Sequence, residues 1–193
     1  MPLIDAYHGT DASLVPVILS EGFRASVGDD HWLGDGTYFF VEGTSGADPQ
    51  GAAVKWGIAE AYDKRQRSLR YRDYAVMHCR INATKDNLWD LTTVEGMKLF
   101  NKLRNGFMRK IAESDYVPRK SVDFKDGHLI NLGRRVAKLP FTLVKGNFYI
   151  KFKVERMNNI FFRLPNCTIL AVLNPAEQVE PGSVSCVVKK EII

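Results

Sequence analysis

Apolar residues recur along the chain in helical and in strand-like patterns, and the balance shifts toward strands in its second half. The opening "LIDAYHG" is a short apolar run closed by glycine, which predicts a buried strand. Asp11 then caps a helix whose apolar face is Leu14, Val15, Val17, Ile18 and Leu19 and which Gly22 stops. Residues 24 to 36 hold Gly28, Asp29, Asp30, Gly34, Asp35 and Gly36, the chemistry of a loop leading into a strand at "TYFF". A second Gly-rich loop, "EGTSGADPQG", leads into a predicted helix from about Ala52 to Arg70. Ala53, Trp56, Ala59 and Tyr62 form its apolar face and "DKRQRSLRYR" its basic tail. "YAVMHCRIN" predicts a strand, and "VEGMKLFNKLRNGFMRKIAE" a helix with Met97, Leu99, Phe100, Leu103, Phe107 and Ile111 toward the core. From Asp123 on, the β-type runs "GHLINL", "LPFTLV", "NFYIKFKV", "CTILAVL" and "VSCVVKK" follow. Helices mostly early and strands mostly late predict an α+β domain around a mixed sheet.

The 193 residues, 45% hydrophobic and 11% aromatic, suffice for one core, and residues 1–193 read as a single domain without repeat or linker. No run of about eighteen apolar residues occurs, and "MPLIDAYHGT" lacks a signal-peptide profile, so a cytoplasmic protein without a membrane span is expected. Cys79, Cys167 and Cys186 are odd in number and widely spaced, which suggests structural thiols rather than disulfides or zinc ligands. Four histidines without a close pair give no metal site. The net charge of +5 is compatible with a polyanionic partner without requiring one.

Chemistry concentrates near the start. His8 follows a strand and precedes Gly9, a corner where an imidazole can bind a ribose hydroxyl and the backbone an amide. Tyr38 offers a flat ring beyond the bend allowed by Gly34 and Gly36, so the two stretches together could form a slot for a nicotinamide riboside. Each has a plainer reading: His8 as a structural neighbour of glycine, Tyr38 with Phe39 and Phe40 as a buried strand. Gly-x-Gly alone lacks the continuation of a dinucleotide-binding turn.

The ordered set "HGT", "VILSEGFRAS" and "GDGTYFF" resembles the diphtheria-toxin-like ADP-ribosyltransferases, in the branch that contains the poly(ADP-ribose) polymerases. The match covers roughly the first third of the chain. The resemblance implies an ADP-ribosyltransferase fold, a mixed, mostly antiparallel split β-sheet with flanking helices. It implies NAD as co-substrate and no metal. His8 would bind the nicotinamide-side ribose, Gly9 and Thr10 would belong to the same NAD-binding motif with the Gly9 backbone on the carboxamide, Tyr38 would stack on nicotinamide, Trp56 would form the second wall, and Arg24 would face the adenosine-phosphate half. Ala52 and Ala53 stand where these enzymes often carry a small hydroxyl residue.

Aligning Asn174-Pro175 with the third family motif puts Ile169 at the usual catalytic Glu, which resembles the mono-ADP-ribosylating members. Glu155 is then the candidate replacement carboxylate, at a strand end, with Glu177 and Glu180 as lesser ones. The implied reaction is transfer of one ADP-ribose to a macromolecular acceptor. RNA or DNA is favoured over protein because "KRQRSLRYR", with Tyr71 and Tyr74, and "KLRNGFMRK", with Phe107, mix cations with aromatics. Solvated helix faces account for the same residues. The small basic chain is similar to toxins of bacterial defence or toxin-antitoxin systems, which implies an antitoxin protein as partner. The alternatives are a protein-directed transferase, an NAD glycohydrolase and a catalytically inactive NAD/ADP-ribose-binding module. An RNA 2′-phosphotransferase is disfavoured for want of its Arg-His-His-Arg pattern.

Overall fold

The computed structural model describes residues 3–28, 31–63, 65–115 and 124–192. Strand β1 (Leu3–Asp11) ends at Asp11, whose carboxylate accepts from the Ser13 N–H and caps a single 3-10 turn, Ala12–Leu14. Helix α1 (Val15–Glu21) follows directly and stops at Gly22. Next come β2 (Thr37–Val41), α2 (Pro49–Ala61), the hairpin strands β3 (Tyr62–Asp63) and β4 (Ser68–Leu69), β5 (Asp73–Asn82) and β6 (Leu88–Asp90). The remainder is α3 (Val94–Ala112), α4 (Asp126–Arg135), β7 (Leu143–Phe148), α5 (Lys153–Met157), β8 (Cys167–Val172), α6 (Pro175–Gln178) and β9 (Ser185–Glu191).

Seven strands form one sheet in the order β6-β7-β8-β2-β1-β5-β9. Only β6 and β7 run parallel; the other neighbours are antiparallel. The protein is thus α+β, with a mixed sheet and flanking helices. Alternation along the strands feeds two cores. Phe39, Met77 and Leu170 face α1, whereas Phe40, Val76 and Ile169 face α2, α3 and α4.

Several expectations are corrected. "GHLINL" belongs to helix α4, not to a strand. Leu129 and Ile130 are adjacent and both buried on one helix side, and so short an apolar run does not separate the two periods. Helix α2 stops at Ala61 rather than near Arg70; the basic tail turns into the β3–β4 hairpin, where the Asp63 carboxylate accepts from the Arg65 and Gln66 N–H groups. In "NFYIKFKV" only the start is strand, and Lys153 begins α5. On α3, Met97 is exposed while Phe100 is buried, because helix contact with the sheet is narrower than the apolar stripe. Cys79 and Cys167 are buried free thiols and Cys186 is half-buried.

Candidate functional site

The site begins where the sheet parts. Strand β1 stays in register with β5 from Leu3 opposite Asn82 to Asp11 opposite Tyr74, but pairs with β2 only through Ala6 with Val41 and Tyr7 with Phe40. Beyond these pairs the His8 side chain takes over from the ladder, its Nδ1 lying 2.8 Å from the Tyr38 carbonyl oxygen. A cavity of about 620 Å³ opens at the gap and draws its walls from both cores, Ile18 and Phe23 from one and Phe40 and Ile169 from the other.

A carbonyl only accepts, so His8 Nδ1 carries the proton. The ring packs against Phe23 and Phe39 at centroid distances of 5.6 and 5.7 Å. Burial holds its pKa below the ordinary histidine value, and the bond to the Tyr38 carbonyl only partly opposes this. A neutral His8 protonated on Nδ1 keeps the Nε2 lone pair as an acceptor for a ligand hydroxyl or N–H.

Tyr38 is fixed just as firmly. Its hydroxyl accepts from the Leu33 N–H at 2.8 Å and donates to the Gly34 carbonyl at 2.7 Å. Burial pushes that hydroxyl up to about 12, so it stays protonated and the ring acts as a flat wall. Gly34 has φ +77, and a Cβ there would lie 2.5 Å from Asn131 Oδ1, which makes glycine necessary at this bend.

The bend is anchored from below by Asp35. Its N–H donates to Asn131 Oδ1 at 2.9 Å, and its carboxylate accepts from the Gly28 N–H, Asn131 Nδ2 and Arg135 Nη2 at 3.1, 3.1 and 2.7 Å. Burial alone would raise its pKa, but these donors outweigh burial and hold the carboxyl below its ordinary range. Arg134 Nη1 donates to the Asp35 carbonyl at 3.0 Å. Helix α4, misread from the sequence, is therefore the platform of the Tyr38 loop.

Besides Tyr38, the rings of Trp32 and Trp56 line the cavity. Trp56 on α2 meets Trp32 edge-on at 6.2 Å, and Trp32 stacks on Phe148 at 5.3 Å. Such rings suit a planar heterocycle. Arg24 lies at the rim, exposed and paired with Glu21. Thr10 also lines the cavity, as does Ile169, which is buried in β8 opposite Phe40.

The sequence-predicted residues His8, Thr10, Arg24, Tyr38 and Trp56 thus meet at one cavity; Gly9 and Glu155 are not among its lining residues. A Cβ on Gly9 would come within 2.0 Å of the Ala53 carbonyl oxygen, so this glycine lets α2 close on β1. Glu155 sits in the first turn of α5, not at a strand end, and Glu180 pairs with Arg80. Among the described residues lining the cavity there is no Asp or Glu.

Two lining residues were passed over in the sequence, His31 and Trp32. Their signal was a polar-aromatic pair, "HW", inside a loop otherwise made of Gly and Asp. His31 meets the Tyr38 ring edge-on at 5.8 Å, and its Nδ1 is buried without a hydrogen-bond partner. Of the expected nucleic-acid-facing rings, Tyr74 is buried, Tyr71 is tied through its hydroxyl to the Gly57 carbonyl at 2.6 Å, and Phe107 packs against the core.

Among the described residues no cluster of His, Cys, Asp or Glu could hold a metal ion, and no helix is long and apolar enough to cross a membrane. No family model matches the chain. Over 98 residues, 50% of the chain, it is 32% identical to an uncharacterized protein of Methanocaldococcus jannaschii. The match spans 41% of that relative's length.

Proposed function

We propose that the chain is an NAD-dependent mono-ADP-ribosyltransferase, with an ADP-ribosyltransferase fold whose sheet splits at His8 and Tyr38. The observation that carries this reading is the His8 Nδ1 bond to the Tyr38 carbonyl, which fixes an acceptor nitrogen and a flat ring on the same cavity. Nicotinamide fits between Tyr38 and Trp56. His8 Nε2 accepts from a hydroxyl of the adjoining ribose, and Arg24 at the rim suits the diphosphate.

The reaction breaks the bond between ribose C1′ and the nicotinamide nitrogen. The bonding pair leaves with nicotinamide, which departs neutral. An oxygen or nitrogen of the acceptor bonds to C1′ and gives up its proton. Holding the ribose oriented in a largely apolar pocket supplies much of the acceleration. Ile169 cannot supply a carboxylate. Among the described lining residues, His8 spends its Nε2 lone pair on the ribose hydroxyl, Tyr38 stays protonated, and the Arg24 guanidinium has no lone pair to offer. His31, whose ring forms part of the cavity wall, is the group left to take the acceptor's proton.

RNA or DNA is the favoured acceptor, in keeping with a charge of +5. The same resemblance supports a role as a cytoplasmic toxin of a defence or toxin-antitoxin system, held in check by an antitoxin protein. The lack of a carboxylate among the lining residues favours one rival reading, an inactive NAD/ADP-ribose-binding module.

The test incubates the protein with NAD labelled in its adenylate half, together with total RNA, denatured DNA and a lysate. Label in RNA or DNA, lost in His8→Ala, is the expected result. Label in a protein redirects the acceptor, and free labelled ADP-ribose with nicotinamide means glycohydrolysis. NAD binding without turnover establishes the binding module.

A further inference from the structure

A second cavity, of about 610 Å³, lies between the end of α2, the β3–β4 hairpin and α5. Its walls combine apolar side chains, among them Ile58, Leu69 and Met157, with the cations Arg67, Lys153 and Arg156 and the ring of Tyr62. No Asp or Glu is among its described lining residues.

The cations are built into the fold in different ways. Arg156 clamps α5 to α2: Nε donates to the Lys151 carbonyl at 2.6 Å, Nη1 to the Ala59 carbonyl at 3.1 Å, and Nη2 reaches Glu60 at 3.4 Å. Arg67 stands at the hairpin turn with φ +53, a conformation uncommon outside glycine, and carries no ion pair among the described residues. Tyr62 is 48% exposed on the opposing strand, so its face is open to a ligand. A guanidinium and an ammonium around an apolar floor with an open aromatic face match a phosphodiester strand with unstacked bases. An acidic peptide would satisfy the cations but leave the ring and floor unused.

The two cavities share a wall. The Arg156 guanidinium lies 6.0 Å from the centre of the Trp56 ring, and Trp56 lines the first cavity. The second cavity therefore adjoins the first.

We propose that this second cavity binds single-stranded nucleic acid, with Tyr62 stacking on a base and Arg67 meeting a phosphate. As the acceptor subsite of a transferase it rests on the function proposed above; as a binding site it is measured without NAD. The experiment titrates a fluorescent single-stranded twelve-nucleotide DNA and its RNA counterpart into the full chain at several salt concentrations. The duplex and a polyglutamate peptide serve as comparison ligands.

The single strands are expected to bind more tightly than the duplex and the peptide. Tyr62→Ala should weaken binding about fivefold or more. Arg67→Ala should lower the slope of log affinity against log salt by about 0.7, the loss of one phosphate contact. Both side chains are exposed, so folding is retained, which circular dichroism checks. Wild-type affinity in both variants, or equal binding of polyglutamate, overturns the proposal. NAD turnover without strand binding overturns this site and leaves the transferase standing. Strand binding shared by wild type and His8→Ala, without NAD turnover in either, supports this site and removes the transferase.

Discussion

The two cavities enclose nearly the same volume, about 620 and 610 Å³, and are chemically unlike. The first opens where two strands part. Most of its polar groups are braced from within the fold: His8 on a carbonyl, Tyr38 on the backbone of Leu33 and Gly34, Asp35 beneath on Asn131 and Arg135. The second lies between a helix end, a hairpin and a one-turn helix, and it presents cations and exposed apolar side chains. A largely apolar, aromatic, internally braced cavity with a cation at its rim suits a small planar ligand whose atoms must be held still. A cationic, partly open one suits a polymer gripped by charge and stacking. The Trp56–Arg156 contact makes the two cavities neighbours.

Substitutions can break this comparison. The largest effect is expected from His8→Ala, which removes both the ladder replacement and the free acceptor nitrogen. Nicotinamide release should fall about a hundredfold or more, while oligonucleotide binding in the second cavity stays unchanged. Next is His31→Ala, which should lower transfer about tenfold to a hundredfold through loss of the proton acceptor and leave the affinity for NAD in place. His31→Gln should not restore the rate, which separates proton transfer from positioning. Asp35→Asn should lower stability by roughly 1–3 kcal/mol through loss of charge-assisted bonds at the loop base. Thermal or urea melting measures it.

The smallest effect is a pH dependence. His8 binds protons less well in the native protein than its ordinary value of 6.5. Its contribution to stability is therefore fully present above that value and is lost as pH falls from there through the depressed native value. Urea midpoints between about pH 7 and 5 should drop, and the drop should be shallower in His8→Gln.

The sequence made the front of the molecule readable because its signals there are local. Asp11 and Gly22 bound a short helical segment, and the alternation in "TYFF" sends Phe39 and Phe40 into opposite cores. The meeting of His8, Tyr38, Arg24 and Trp56 was legible from motif order, although Gly9 serves helix packing and Glu155 lies on α5. What could not be read depends on contacts between distant residues. Asp35 looks like any loop aspartate until Asn131 and Arg135, about a hundred positions away, close on it. The basic tail after α2 reads as helix because nothing in its composition reveals that Asp63 turns the backbone. For the same reason the sequence points to Tyr71 and Tyr74 as the rings beside these cations, whereas Tyr62 is the most open of the three.

The central claim, that the split at His8 and Tyr38 is an NAD site, is tested most directly by calorimetric titration of NAD into the wild-type chain and into His8→Ala. The account predicts saturable binding to the wild type, competed by nicotinamide and weakened at least tenfold in the variant, about 1.4 kcal/mol. Absence of NAD binding to the folded wild-type chain, or equal affinity in both, would contradict it.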